Sequence, residues 1–430
     1  MLVPVTCAPG VPRSVRVSLS ALQFLQNFLL GSWWVTLATF LADDLGASPE
    51  RIALAVMSGA VGAIVSPFVV GLVADRYLAG ERVLRILHIV VAILLVVAGR
   101  QQSFAALLVC VVVIQIAFMP TQSLATAMAL RHLPDPSRQF PPIRAFGTVG
   151  WIVAGLVIAG FGWEQSGRLR LTFAVAAGAA MALVVLTFLL PHTPPASGPA
   201  RGVRQILGFD AIGPLLRRRS YVVFFVASML AGVPLAFYYT FTNLFLNEIG
   251  VRRAAGVQTL GQMAEVGVLL VLPWTLRRIG IKGTIALGLA AWAVRYLLFA
   301  AGNAGSLYAL LIAGLLLHGV CFNFFFVAGQ MYTDEVAPLG MRSAAQGLTS
   351  LASQGVGSLV GTLIAGWVVE RFATPSGHDW GRVWPLAALA TSVILAGFLV
   401  FFREERVGPD KGTSPEPWSG GRPSPQGEPV

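Results

Sequence analysis

The chain has 430 residues, of which 56% are hydrophobic and only 11% charged, against about 25% charged in an ordinary soluble domain. That deficit calls for an apolar solvent and argues against a soluble enzyme or a nucleic-acid-binding domain. The net charge of +11 fits the same reading, because the basic residues gather in alternate loops between apolar stretches and mark membrane topology.

A bilayer core takes roughly 20 apolar residues per crossing helix. Stretches of that length are predicted at 18–41, 50–74, 83–99, 103–129, 143–162 and 168–190. The first is too long for the core of a signal peptide and has no clear cleavage site. A polar segment rich in proline, glycine and arginine follows at 191–219. Six further spans are predicted at 220–246, 254–273, 283–301, 304–332, 343–369 and 383–402. The tail from 407 to 430 is rich in proline, glycine and charge, the composition of a disordered segment.

The expected fold is therefore an all-α polytopic membrane protein of about twelve transmembrane helices in two six-helix bundles. The N-terminal bundle covers 1–190, the cytoplasmic linker 191–219, the C-terminal bundle 220–406 and the tail 407–430. Two such halves around a site near the midplane are the arrangement of major facilitator transporters. With both termini cytoplasmic, about 20 of the lysines and arginines fall on the cytoplasmic side and about 8 on the other, as the positive-inside rule requires. Arg144 and Arg295 fall inside spans.

The loop after the second span reads Gly71-Leu-Val-Ala-Asp75-Arg76-Tyr77. It resembles the major facilitator signature at this position, which implies a conformational switch at Gly71, Asp75 and Arg76. An ordinary short turn is the bland alternative.

Polar residues within the spans carry more information, since a charge at the bilayer centre costs roughly 2.5–3.5 kcal/mol on insertion scales and so seeks a cavity or a partner. In the fifth span Arg144, Thr148 and Trp151 recur at i, i+4 and i+7 and share one helix face. A cation, a hydroxyl and an aromatic plane in one stripe suit a base and its sugar; equally, Arg144 can snorkel to headgroups from the helix end. Gly147 and Gly150 allow a neighbouring helix to pack closely. In the eighth span Gln262 and Glu265 lie on one face, and Glu265 is the one acid deep in any predicted span. A carboxyl whose charge depends on whether its cavity is wet suits a proton carrier, with an ion pair to Arg295 or Arg144 as the alternative.

The tenth span holds His318 one turn before Phe322, then Asn323 and Gln330. A lone intramembrane histidine serves either as a hydrogen-bonded structural group or as a proton relay. Gln23, Gln26 and Asn27 in the first span, and Gln115 and Gln122 in the fourth, either line a cavity or bond between helices. Arg295, in a peripheral ninth span, is expected to serve as a structural partner or to border a watery inlet. Cys7, Cys110 and Cys321 have no metal-ligand or disulfide spacing. No cofactor or metal is expected, and no nucleophile–base pair or paired catalytic carboxylates suggest an enzyme.

At these residues the chain resembles the nucleoside:proton symporter family of bacterial major facilitator transporters, over nearly all spans. The likeness is clearest in Leu22-Gln23-Phe24-Leu25-Gln26 with Gly31-Ser-Trp, in the loop from Gly71 to Arg76, and in Ile143-Arg144-Ala-Phe-Gly147-Thr148-Val-Gly150-Trp151. It continues through Gln262-Met-Ala-Glu265 and Arg342-Ser-Ala-Ala-Gln346-Gly347. The resemblance implies nucleoside contacts at Arg144, Thr148, Trp151, Gln262, Glu265 and Phe322, and proton coupling around Glu265, His318 and Asn323. The chain departs from better-known members in having Asn323 for an aspartate linked to coupling and His318 for a tyrosine. Its seventh span, with Pro234 and Tyr238-Tyr239, lacks a Gln/Asn pair that they use on the ligand.

The expected function is secondary active transport: proton-coupled nucleoside uptake by alternating access, by a monomer in the bacterial inner membrane. The alternatives are a sugar or glycoside symporter, an uncoupled nucleoside facilitator and, in another class, a membrane sensor that does not transport.

Overall fold

The computed structural model describes residues 11–69, 78–195, 212–337 and 341–403. Among these, nine helices are long and apolar enough to cross a membrane. One of them, Ala254–Ala301, has 48 residues and would extend about 72 Å if straight, more than twice the hydrocarbon thickness. It is broken at Gly280, whose φ of 67° and ψ of −178° are open to glycine and closed to side-chain-bearing residues. The eighth and ninth spans are thus two crossings on either side of one glycine. Gly80–Ala98, with its charged first turn, and the shorter Arg170–Leu186 complete twelve crossings.

The first span is also in two pieces, Arg13–Trp34 and Leu37–Leu45, interrupted at Thr36 (φ −99°, ψ 5°). The second to sixth are Pro49–Val69, Gly80–Ala98, Phe104–Arg131, Pro136–Phe161 and Arg170–Leu186. The seventh is Arg219–Glu248 and the twelfth Trp380–Phe401. Both the tenth, over Tyr308–Val336, and the eleventh, over Arg342–Arg371, contain a π-helical turn, at Asn323–Val327 and Leu351–Gly357 respectively. Such turns interrupt the regular ladder and are frequent at functional sites. The segment carrying Gly71, Asp75 and Arg76 lies outside the described residues, as do most of the linker and the tail.

The predicted glycine stripe of the fifth span does what its spacing suggests. A Cβ on Gly150 would lie 2.2 Å from the Phe24 carbonyl oxygen, and one on Gly147 2.6 Å from Asn27 Nδ2. Backbone-to-backbone approach of this kind holds helices together where lipid offers no hydrophobic drive. The amides of the first span divide. Gln26 accepts from Thr121 Oγ1 at 3.2 Å and donates to the Thr121 carbonyl at 3.4 Å, joining the first span to the fourth, whereas Asn27 donates to its own helix at Gln23 O. Gln115 is fully buried with neither side-chain atom hydrogen-bonded among the described residues.

The two halves meet closely at the end that carries Asp44, Arg51 and Arg170. There a Cβ on Gly366 would lie 2.4 Å from that of Ala53, and one on Gly256 2.6 Å from that of Ala159. At the opposite end Arg144, Phe146 and Gln330 are exposed. Gly150→Leu is expected to destabilise by at least about 1–3 kcal/mol, because its neighbour at 2.2 Å is backbone and cannot move aside. Gly160→Ala, which meets nothing within 4 Å, is expected to be near neutral. Melting temperatures of the two purified variants against the parent check this.

Candidate functional site

Between the halves, Trp34, Val35, Trp151, Tyr238, Tyr239, Gln258 and Gln262 line a small cavity. The interruption of the first span falls on its wall, which places Trp34 and Val35 there. From the seventh span come Tyr238 and Tyr239, whose rings meet edge to face with centroids 5.3 Å apart. The eighth span contributes Gln258 and Gln262, one turn apart, and Glu265 continues the same stripe.

Glu265 is a quarter exposed, and its Oε2 stands 4.0 Å from Nε2 of His318 in the tenth span. Arg144 is exposed on the facing fifth span, close enough for its charge to act on Glu265. Thr148 and Trp151, further along that face, are half-buried. Of the expected site residues, Trp151 and Gln262 line the cavity, Glu265 follows one turn from Gln262 within reach of the Arg144 charge, and Thr148 lies between Arg144 and Trp151 on the fifth span. Phe322 is partly buried, its ring centroid 5.9 Å from that of His318 and 5.3 Å from that of Phe326.

Asn323 is buried and is not among the residues that line the cavity. Its Nδ2 donates to the main-chain carbonyl of Glu265 at 2.8 Å, which fixes the tenth span to the eighth at the depth of the carboxyl. The approach is close because a Cβ on Gly319 would lie 2.6 Å from the Ala264 carbonyl oxygen. Arg295 sits in the interior at 1% exposure, not at the periphery. It donates from Nη1 to His318 Nδ1 at 3.2 Å, and its guanidinium carbon lies 3.3 Å from the Tyr238 ring centroid, a close cation–π contact.

The matching family model, described as the nucleoside H+ symporter family, spans residues 13–407. The chain belongs to that family. Among its relatives is the Escherichia coli (strain K12) protein YegT, a candidate nucleoside transporter, 38% identical over 399 residues covering 90% of this chain and 93% of that protein. The xanthosine permease of the same organism is 30% identical, covering 90% and 94% of the two chains. A crystal structure of the nucleoside transporter NupG is similar at a TM-score of 0.83 and 29% identity, covering 91% of this chain and all of that one. A peptide transporter at 17% identity and a TM-score of 0.72 shares the fold. The symporter family is one of transporters and not of enzymes, and the all-α two-bundle fold follows with it.

A polar cluster joins the halves at the end where they meet closely. Glu164, in the loop after the fifth span, accepts from Asn243 Nδ2 at 3.0 Å, from Asn247 Nδ2 at 3.1 Å and from the main-chain N–H of Ala255 at 3.1 Å. The last of these is an otherwise unpaired donor in the first turn of the eighth span, where a carboxylate is favoured by the helix dipole. Asn243 also accepts from Thr39 Oγ1 at 2.6 Å and donates to Gln258 Oε1 at 3.0 Å. Thr39 and Glu164 belong to the first half and the remainder to the second, so these bonds cross between halves. Sequence reading missed this group, as it did Trp34, Tyr238, Tyr239 and Gln258 as cavity walls. The i, i+4 pair Asn243 and Asn247 in an apolar span was the available signal.

Replacing Glu164 with alanine would take the acceptor from the Ala255 N–H, at about 1–3 kcal/mol if it stays buried, and would leave Asn243 and Asn247 bonded only within the second half and to Thr39. Glu164→Ala is therefore expected to favour opening at this end. A cysteine replacing Trp151, with Cys7, Cys110 and Cys321 changed to serine, should then react faster with an impermeant thiol reagent supplied from that side. An unchanged labelling rate in the alanine variant would contradict a locking role.

Proposed function

We propose that this transporter takes up nucleosides together with protons by alternating access, its two halves rocking about the central cavity. The observation that carries the reading is Glu265, a partly exposed carboxyl one turn from the cavity-lining Gln262 and within reach of the Arg144 charge. Trp151 and Phe322 supply faces on which a base can stack, worth about 0.5–1.5 kcal/mol each beyond burial. Gln262, Glu265, Thr148 and Arg144 supply donors and acceptors for the edges of the base and the ribose hydroxyls. The relatives, which include a xanthosine permease and a nucleoside transporter, support a nucleoside as the substrate class.

The proton binds Glu265 when the cavity opens to the acidic side and leaves when it opens to the cytoplasm. Asn323 is an amide and carries no proton. The protein acts as a monomer in the inner membrane with both termini and the basic linker cytoplasmic, so the lock at Glu164 closes the periplasmic end. Residues 1–190 and 220–406 form the moving halves, 191–219 the link between them and 407–430 the tail, while Gly71, Asp75 and Arg76 act as the switch in the second loop. An uncoupled facilitator is the second reading, favoured by the engagement of Asn323 with main chain where relatives of this family carry an acid.

Uptake of labelled nucleosides into proteoliposomes, with and without an inward proton gradient, separates the readings. Accumulation above equilibrium that collapses with an ionophore is expected for the parent. Glu265→Gln should lose accumulation but retain exchange, and Trp151→Ala should weaken apparent affinity roughly fivefold, or about 1 kcal/mol. Equilibration without accumulation in the parent would make it a facilitator, and uptake of free sugars in preference to nucleosides would overturn the substrate class.

A further inference from the structure

Arg295 has no role in the scheme above, yet it is among the largest fully buried side chains in the protein. A guanidinium is always charged and only donates hydrogen bonds. Burying one in a membrane-embedded bundle without an anion in contact demands a reason. Its Nε and Nη2 groups find no oxygen or nitrogen acceptor among the described residues, and the Cys321 sulfur lies beside it. Among the described residues, its hydrogen-bonding contact with a nitrogen or oxygen is the 3.2 Å approach of Nη1 to His318 Nδ1.

That contact fixes the chemistry of the histidine. Since Arg295 donates, His318 Nδ1 must present its lone pair, and the ring hydrogen must sit on Nε2. A protonated imidazole would set N–H against N–H and place two cations 3.2 Å apart in a dry interior. Nε2–H is the atom that faces Glu265 Oε2 at 4.0 Å. The ring is held in that orientation by Tyr238, stacked on it at 5.0 Å and 23°, and by Tyr239, edge-on at 6.1 Å. The close approach of the eighth and tenth spans is secured by Gly261, where a Cβ would lie 3.1 Å from that of His318. The ninth span comes equally close through Gly314, whose Cβ would lie 2.6 Å from the Phe299 ring.

We propose that Arg295 is a positioning residue for transport: it holds His318 in the neutral, Nε2-protonated form and aims that N–H at Glu265, so that a fixed positive charge stands behind the acid that continues the cavity-lining stripe of the eighth span. The proton that moves is carried on Glu265 alone, and His318 stays neutral through the cycle as a donor to the carboxylate form. Arg295 and Arg144 then flank Glu265, one behind the wall and one across the cavity. The titratable and charged groups facing His318 are Glu265 from the eighth span, Arg295 from the ninth and Tyr238 and Tyr239 from the seventh, with Cys321 on its own helix and Arg144 across the cavity. This deepens the symport reading and rests on it for its meaning in transport. The state of the imidazole does not depend on the substrate.

The test has two arms. In the full-length protein labelled with ¹⁵N-histidine, the His318 resonances are assigned by their loss in His318→Gln. They should report a neutral, Nε2-protonated ring throughout about pH 5 to pH 8, and in Arg295→Met the ring should change tautomer or titrate. A cationic or Nδ1-protonated His318 in the parent protein overturns the proposal, even if Arg295→Met does not fold. In proteoliposomes, Arg295→Met should lose roughly tenfold in uptake at low substrate and gain a pH dependence that disappears in the double variant with His318→Gln. A pH profile superimposable on the parent's means a purely structural arginine and also overturns it. If the parent takes up no nucleoside, the symport reading fails while the tautomer arm still decides the role of Arg295.

Discussion

A charge inside a membrane must be answered by another charge, by a wet cavity or by a well-made hydrogen bond, and the centre of this protein is arranged around one such answer. Glu265, His318 and Arg295 come from three successive crossings and stand in line, with 4.0 Å and 3.2 Å between neighbours. For residues 265 and 295 to reach the same histidine, the chain must reverse between them, which is what Gly280 permits. For the helices to come that close, the facing positions must lack side chains, which is what Gly261, Gly314 and Gly319 provide. The C-terminal half takes its shape at this depth from those few contacts.

The N-terminal half answers across the cavity with Arg144, Thr148 and Trp151 on a helix fixed to the first span by Gly147 and Gly150. The halves touch tightly at the end marked by Ala53, Ala159, Gly256 and Gly366, and there Glu164 gathers donors from the second half. Towards the other end Arg144 is exposed. Polar bonds across a closed end can be exchanged for bonds to water at little net loss when that end opens, whereas the glycine contacts within each half cannot be. That difference suits the proposed motion of each half as a body, with the bonds between them made and broken.

Much of this was legible in the chain. Twelve apolar stretches and their order follow from hydropathy, because in hydrocarbon every backbone polar group has to be satisfied inside a helix. The stripes Arg144–Thr148–Trp151 and Gln262–Glu265 follow from helical spacing and the high cost of burying polar groups there. What sequence did not yield depends on contacts between distant helices. Arg295 was expected to be peripheral because of its place in the third span of a triplet, and only the packing of Tyr238 and His318 against it shows an interior residue. Asn323 has the spacing of a cavity residue, but the π-helical turn it begins and the bond to the Glu265 carbonyl turn it inward. Glu164 sits in a loop, where a lone acid is unremarkable until Asn243, Asn247 and Ala255 are seen to surround it. Trp34 reaches the cavity because the first span breaks at Thr36, a break no glycine or proline announces.

The central claim, that one carboxyl carries charge across with each neutral substrate molecule, is tested most directly by electrical recording. Reconstituted protein on a solid-supported membrane would be given a pulse of a neutral nucleoside without a pH step. A transient inward positive current is predicted for the parent protein and none for Glu265→Gln at equal protein density. Substrate uptake by the parent without any such current would contradict the claim and leave a transporter in which Glu265 binds substrate but moves no proton.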